Sequence, residues 1–174
     1  YLFFQGNDDG GKSWYLSKMR VVWDDNRPGL IRHWDGSKFS LPPRGAIRDT
    51  DAAVRYSAGW VAWQGTGPRY STLHYADRAG CTAELTFEGT AVSLVHKIGP
   101  DCGIAEVTID GVPAPLAARI NTCQPEVQWN AVTSLAQGLA PGCHTLTIRV
   151  TGEKADESTN TYVQIVGFEV QRTD

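Results

Sequence analysis

Along much of this chain apolar residues fall at every second position. Ala83, Leu85 and Phe87 alternate with polar neighbours, as do Ala105, Val107 and Ile109, and again Leu146, Ile148 and Val150. A period of two marks a strand with one face buried and the other in water. From Arg48 onward such segments recur at 53–57, 60–63, 71–75, 82–87, 90–96, 127–133, 143–150 and 161–170, with turn signals between them. No stretch carries a helical period; 130–137 admits at most one turn of helix. Many short strands with Gly-rich connections predict an all-β fold, an antiparallel β-sandwich or jelly roll, over residues 48–174.

The clearest local unit is a hairpin. Residues 104–110 alternate, Asp110-Gly111 is a strong turn dipeptide, and Pro113 cannot donate to a ladder. Residues 116–120 then return as its second arm. Cys102 and Cys123 stand about equally far from the turn, which predicts a disulfide across the open end. Cys81 and Cys143 remain and pair by elimination, each at a strand start, although Cys143 is out of phase with Leu146 and Ile148. An even cysteine count with no CxxC spacing favours disulfides over zinc. That implies an oxidising compartment and a secreted parent protein.

The first residues read differently. Residues 1–5 form an apolar, aromatic strand, 7–14 a polar turn, and 15–23 a second strand. In the turn, Asp9 can accept bonds from backbone amides, Gly11 permits positive φ, and Trp14 can fold back over the hairpin. Asn7, Asp9, Gly11, Ser13 and Trp14 resemble the Asp-box of sialidase-like BNR-repeat propellers, with Asn7 where Ser or Thr is usual. The resemblance implies that 1–26 end a propeller blade. A free-standing hairpin, or a protease-tag remnant at 2–6, are the alternatives. Residues 24–29 form a polar turn in which Asp24 and Asp25 are turn-forming carboxylates. Residues 27–47, with Pro42-Pro43, read as an ordered linker whose Trp34 and Phe39 pack on a neighbouring domain.

Within 48–174 an ordered set of motifs carries a second resemblance. It comprises Arg55-Tyr56-Ser57 before Gly59-Trp60, Thr72-Leu-His-Tyr75, Ala83-Glu-Leu-Thr-Phe87, and Gly103 through Gly111. Gly142-Cys-His144 and the closing Tyr162 through Val170 complete it. This arrangement is similar to the galactose-binding-domain-like sandwiches attached to secreted carbohydrate-active enzymes. The resemblance implies carbohydrate binding without naming a sugar, and allows a structural calcium held by carboxylates and loop carbonyls.

Charge and candidate chemistry narrow the picture. A net charge of −3 with no Lys/Arg run argues against nucleic acid and anionic membrane as partners. No apolar run approaches the roughly 18 residues that span a bilayer. Sugar recognition sets aromatic rings against pyranose faces, with polar groups on the hydroxyls. The aromatic loop 59–70 offers Trp63, Gln64, Arg69 and Tyr70, and Trp60, for which core packing competes. The loops 96–101 and 121–129 offer Lys97, Asp101, Gln128 and Trp129, with a loop-anchoring role open for Trp129. The four histidines sit in separate elements, and no nucleophile elbow, HExxH or phosphate loop is present. The first expectation is therefore a non-catalytic carbohydrate-binding module of a polysaccharide-active enzyme. The alternatives are the C-terminal part of a BNR-propeller glycoside hydrolase or polysaccharide lyase, with catalytic residues and propeller upstream, and a brace without ligand.

Overall fold

The structure, a computed structural model, describes residues 45–171 with their side chains. Before them it describes the backbone of β1 (Leu2–Gly6), β2 (Tyr15–Met19), β3 (Val21–Asp24), β4 (Arg27–Leu30), β5 (His33–Trp34) and β6 (Phe39–Ser40). The chain divides into two units, Tyr1–Pro43 and Arg44–Asp174. In the first, β1 pairs β2, β3 pairs β4 and β5 pairs β6, all antiparallel. The single strand expected over 15–23 is thus β2 and β3, which belong to different hairpins. The Asp-box residues Asn7, Asp9, Gly11, Ser13 and Trp14 lie outside the described residues, as do the side chains of Asp24, Trp34 and Phe39.

The second unit is the expected all-β sandwich. One sheet contains β7 (Ala46–Arg48), β9 (Val61–Gln64), β10 (Thr72–Ala76), β12 (Ala91–Ile98), β16 (Gln128–Ala136) and β18 (Val163–Gln171). The order is β16-β12-β18-β10-β9, and β7 shares with β10 the same side of β18. The other contains β8 (Val54–Tyr56), β11 (Thr82–Glu88), β13 (Ile104–Ile109), β14 (Val112–Pro113), β15 (Arg119–Asn121) and β17 (Cys143–Val150). Its order is β14-β13-β17-β11-β8, with β15 also on β13. No helix occurs among the described residues.

The alternating positions form the core. Leu85, Val107, Leu146, Ile148 and Val150 from one sheet meet Val92, Leu94, Ile165 and Phe168 from the other, all at most 1% exposed. Each such side chain contributes about 1.5–3 kcal/mol on burial. The outer faces differ. That of the β11/β13/β17 sheet carries Glu106, Arg119, Arg149 and Glu153 in a solvated ion-pair network. The other sheet buries a second apolar cluster outside the sandwich, Leu73, Val95 and Val166, with Tyr70, Tyr75 and Trp129 packed against it. A bulge where β18 passes β12, between Val95 and His96, supplies the change of face. Val163 and Ile165 point into the core, Val166 outward, and Phe168 inward again.

Several expectations are corrected. Residues 130–137 are not helical: 130–136 belong to β16, paired along β12. The hairpin turns where expected, with Asp110 and Gly111 both at positive φ, but its return arm comes in two pieces. β14 follows the turn at once, and β15 rejoins at Glu106↔Arg119, because 113–118 carries two prolines and a bend. The two expected disulfides are absent: Cys81, Cys102, Cys123 and Cys143 are free thiols. For Cys81 and Cys143 the register forbids the bond. Thr82 faces Arg149 and Glu88 faces Cys143, so the two cysteines stand at opposite ends of one antiparallel ladder. That is roughly 20 Å at the usual strand rise, against the few ångströms a disulfide spans. For Cys102 and Cys123 the β13/β15 ladder ends at Ile104↔Asn121, two residues short. Thr122 still bonds Gly103, but Cys123 bridges Gly99, while the Cys102 thiol turns to Asp101 and Gln164.

Candidate functional site

On the outer face of the β9/β10/β18/β12/β16 sheet, toward one end, lies a cleft of about 320 Å³. Strand alternation explains its lining. Leu73 and Tyr75 are two apart on β10, Lys97 follows Val95 on β12 at the same spacing, and Gln164 precedes Val166 on β18. Trp63 lies opposite Leu73, and Gln164 opposite Tyr75, so register brings them together. Trp129 comes from β16, Asp101 from the loop after β12, and Tyr162 from the approach to β18.

The aromatic groups are fixed by their bedding. Trp63 and Trp129 are nearly parallel, 7° apart with ring centroids 6.0 Å apart. A Cβ at Gly65 would sit 2.4 Å from the Trp63 ring, and one at Gly67 2.5 Å from Trp129, so only glycine lets the loop pass against both. Asn130, at φ +61°, locks that loop: its Oδ1 accepts the Arg69 N–H at 2.6 Å and its Nδ2 donates to the Gly67 carbonyl at 3.1 Å. Tyr75 and Tyr162 meet edge to face, centroids 5.4 Å apart.

The polar groups centre on one ion pair. Lys97 Nζ donates to both carboxylate oxygens of Asp101, at 2.7 and 2.9 Å, and stands 5.4 Å from the Trp129 ring centroid. Burial pushes the Asp101 carboxyl up, but hydrogen bonding and the Lys97 charge outweigh it and hold the group below its ordinary value. Burial first, then the Asp101 charge, pushes the neighbouring Cys102 thiol up to about 12, which leaves it unreactive. Ser158 Oγ, buried against the carbonyls of Pro100 and Cys102, and the Tyr162 N–H on the Asp101 carbonyl hold the Asp101 loop in place.

Of the residues singled out from sequence, Trp63, Lys97, Asp101 and Trp129 converge in the cleft. Gln128 lines a neighbouring depression of about 580 Å³ with Gln124, Pro125, Glu126 and Val127. Trp60 packs on the core beside Tyr56, centroids 5.1 Å apart. Arg69 is buried against Glu169 at 2.5 Å, Tyr70 lies beneath Arg48 on the outer cluster, and Gln64 is exposed outside the lining. Leu73, Tyr75, Tyr162 and Gln164 were not anticipated. For Leu73, Tyr75 and Gln164 the usable signal was parity, since they alternate with core positions of the same strands. The histidines of the sandwich make structural contacts. His74 bonds the buried Asp49 at 2.9 Å and stacks on Tyr56, His96 bonds Thr133, and His144 bonds Asp110. Among the described residues no group of three or more His, Cys, Asp or Glu could hold a metal ion.

A cleft floored by Leu73, rimmed by two tryptophans and carrying one ion pair, one amide and two phenols suits a ligand with apolar faces and many hydroxyls. Comparison with known proteins gives the following. No protein-family model matches the chain. It is 31% identical over 102 residues to an A type blood N-acetyl-alpha-D-galactosamine deacetylase of Flavonifractor plautii, covering 59% of this chain and 13% of that protein. The fold is shared with a two-domain esterase active on acetylated mannans, crystallised with mannopentaose: TM-score 0.57, 16% identity, 74% of this chain and 36% of that one. It is shared equally with Paenibacillus xanthan lyase: TM-score 0.59, 13% identity, 77% of this chain and 14% of that one. The chain is thus an all-β sandwich whose fold recurs in that esterase and that lyase, and it spans a minor part of each protein it resembles.

Proposed function

We propose that this sandwich is a non-catalytic carbohydrate-binding module of the galactose-binding-like type, and that the cleft at Trp63, Trp129, Lys97 and Asp101 is its glycan site. The observation that carries the reading is the parallel pair of tryptophans beside a hydrogen-bonding ion pair. Apolar pyranose faces stack on such rings while hydroxyls reach the polar groups. Among the described residues Asp101 is the one carboxylate of the lining, whereas hydrolysis of a glycosidic bond ordinarily needs two. Binding at one such site is weak, and its use is to raise the local concentration of a tethered catalyst. The parent protein on this reading is a glycoside hydrolase, lyase or esterase acting on polysaccharide outside the cell, with catalytic residues in another domain. The small share this chain spans of the longer proteins it resembles favours that arrangement.

Affinity electrophoresis through gels containing soluble polysaccharides tests the proposal. The chain should be retarded by at least one glycan, and Trp63→Ala should weaken retardation by about tenfold, roughly 1.4 kcal/mol, without unfolding the domain. Equal retardation of the folded variant would remove this cleft from the function.

A further inference from the structure

The cleft holds one charge of each sign, and each already satisfies the other. Both Asp101 oxygens face the Lys97 ammonium, at 2.7 and 2.9 Å, with the lysine side chain 9% and the aspartate side chain 33% exposed. The remaining lining residues, Trp63, Leu73, Tyr75, Trp129, Tyr162 and Gln164, are uncharged. Among the described residues the site therefore has no net formal charge.

A pair this enclosed resists being split, because the partner left behind keeps its desolvation and loses its counter-charge. A ligand carboxylate would compete with Asp101 for Lys97 while facing a second carboxylate. A ligand ammonium would compete with Lys97 for Asp101. A hydroxyl does neither. It can donate to a free lone pair of Asp101, or accept the third proton of Lys97, while the pair persists. Two adjacent hydroxyls can do both at once.

Building on the glycan-binding reading above, we infer that Lys97 and Asp101 act jointly as a clamp for adjacent hydroxyls of an uncharged sugar. The site then takes neutral glycans and discriminates against uronates and amino sugars. Binding is correspondingly insensitive to salt, since no net charge is neutralised when the ligand enters.

The test is a glycan array carrying neutral, uronate-bearing and free-amine-bearing members, probed with the whole chain. Binding to the best hit is then followed by calorimetry between roughly 20 and 500 mM NaCl. Hits confined to neutral glycans, with affinity changing less than about twofold across that range, support the clamp. Strongest binding to uronates or free amines, or a steep loss with salt, overturns the clamp and leaves glycan binding standing. An array without hits overturns the glycan reading itself. Asp101→Asn should lose about tenfold or more in affinity for neutral glycans and gain salt-sensitive binding to uronates through the unpaired Lys97. A folded Asp101→Asn chain that binds neutral glycans normally contradicts the inference. If that variant does not fold, the array and the salt series on the native chain decide.

Discussion

Asn130 is a non-glycine residue at φ +61°, with a side chain that ties two points of the facing loop. Asparagine tolerates that backbone region because its short polar side chain bonds locally. Asn130→Ala should therefore cost about 1 kcal/mol for the lost bonds, measurable by urea denaturation. It should also weaken glycan retardation by letting Gly67 drift from Trp129. Gly67→Ala should be worse for binding, since the new Cβ meets the ring and the φ of +117° is strained. The Asp110–His144 pair allows a pH test. The bond to Asp110 and then the Ala140 carbonyl raise His144 above its ordinary 6.5, so its contribution is full below that value and fades as pH rises through the folded one. The bond to His144 and then the Thr145 N–H lower Asp110 below its ordinary 3.8, so its contribution is present above that value and fades as pH falls through the folded one. The Tm difference between the native chain and Asp110→Asn should peak between 3.8 and 6.5 and shrink on either side. Thiol chemistry gives a further check at this scale. Only Cys143 is exposed, so one thiol should react natively and four after unfolding. Fewer than four in the non-reduced chain would reinstate a disulfide.

Among elements, β7 shows where pattern alone stops. A boundary at Arg48 follows from the first clear alternation, yet Ala46–Arg48 pairs with β18, Ile47 is 9% exposed in the core, and Gly45 accepts the Val170 N–H. Three residues are too few to show a period. A fragment starting at Arg44 should accordingly be more stable than one starting at Asp49 by at least about 1.5–3 kcal/mol for Ile47, read from chemical denaturation. Strand β16 was expected at 127–133, but its last residues, through Ala136, did not declare themselves, for another reason. Ala131 and Leu135 are four apart, a helical spacing, and Val132 is 50% exposed on the sheet edge. Pairing with β12 decides the conformation there, a tertiary override of local pattern. Strands β11, β13 and β17 were legible because each has one dry face and one wet face, which writes burial directly into the alternation.

At the scale of the whole molecule, the asymmetry between the two sheets creates the site. One outer face is charged and solvated; the other is apolar enough to bury Leu73, Val95 and Val166 and to leave tryptophans at its rim. In sequence this appears only as a loss of alternation, seen where β12 runs through Val95, His96 and Lys97, all buried. Aromatic richness and loop position were enough to mark Trp63, Trp129, Lys97 and Asp101 individually. Trp60, Arg69 and Tyr70, from the same loop, could not be separated from them, since a residue's side of the loop depends on what packs beneath it.

By itself the sequence determined the strands with one dry and one wet face, the turn at Asp110-Gly111 and much of the core they form, because period and turn chemistry are local properties. Tertiary structure decided which strands are neighbours. That choice set Cys81 and Cys143 at opposite ends of a ladder, turned Phe168 back into the core past a bulge, and gathered five separate segments around one cleft. Such outcomes depend on register between residues far apart in the chain, and no local pattern encodes register once the intervening loops are free to vary.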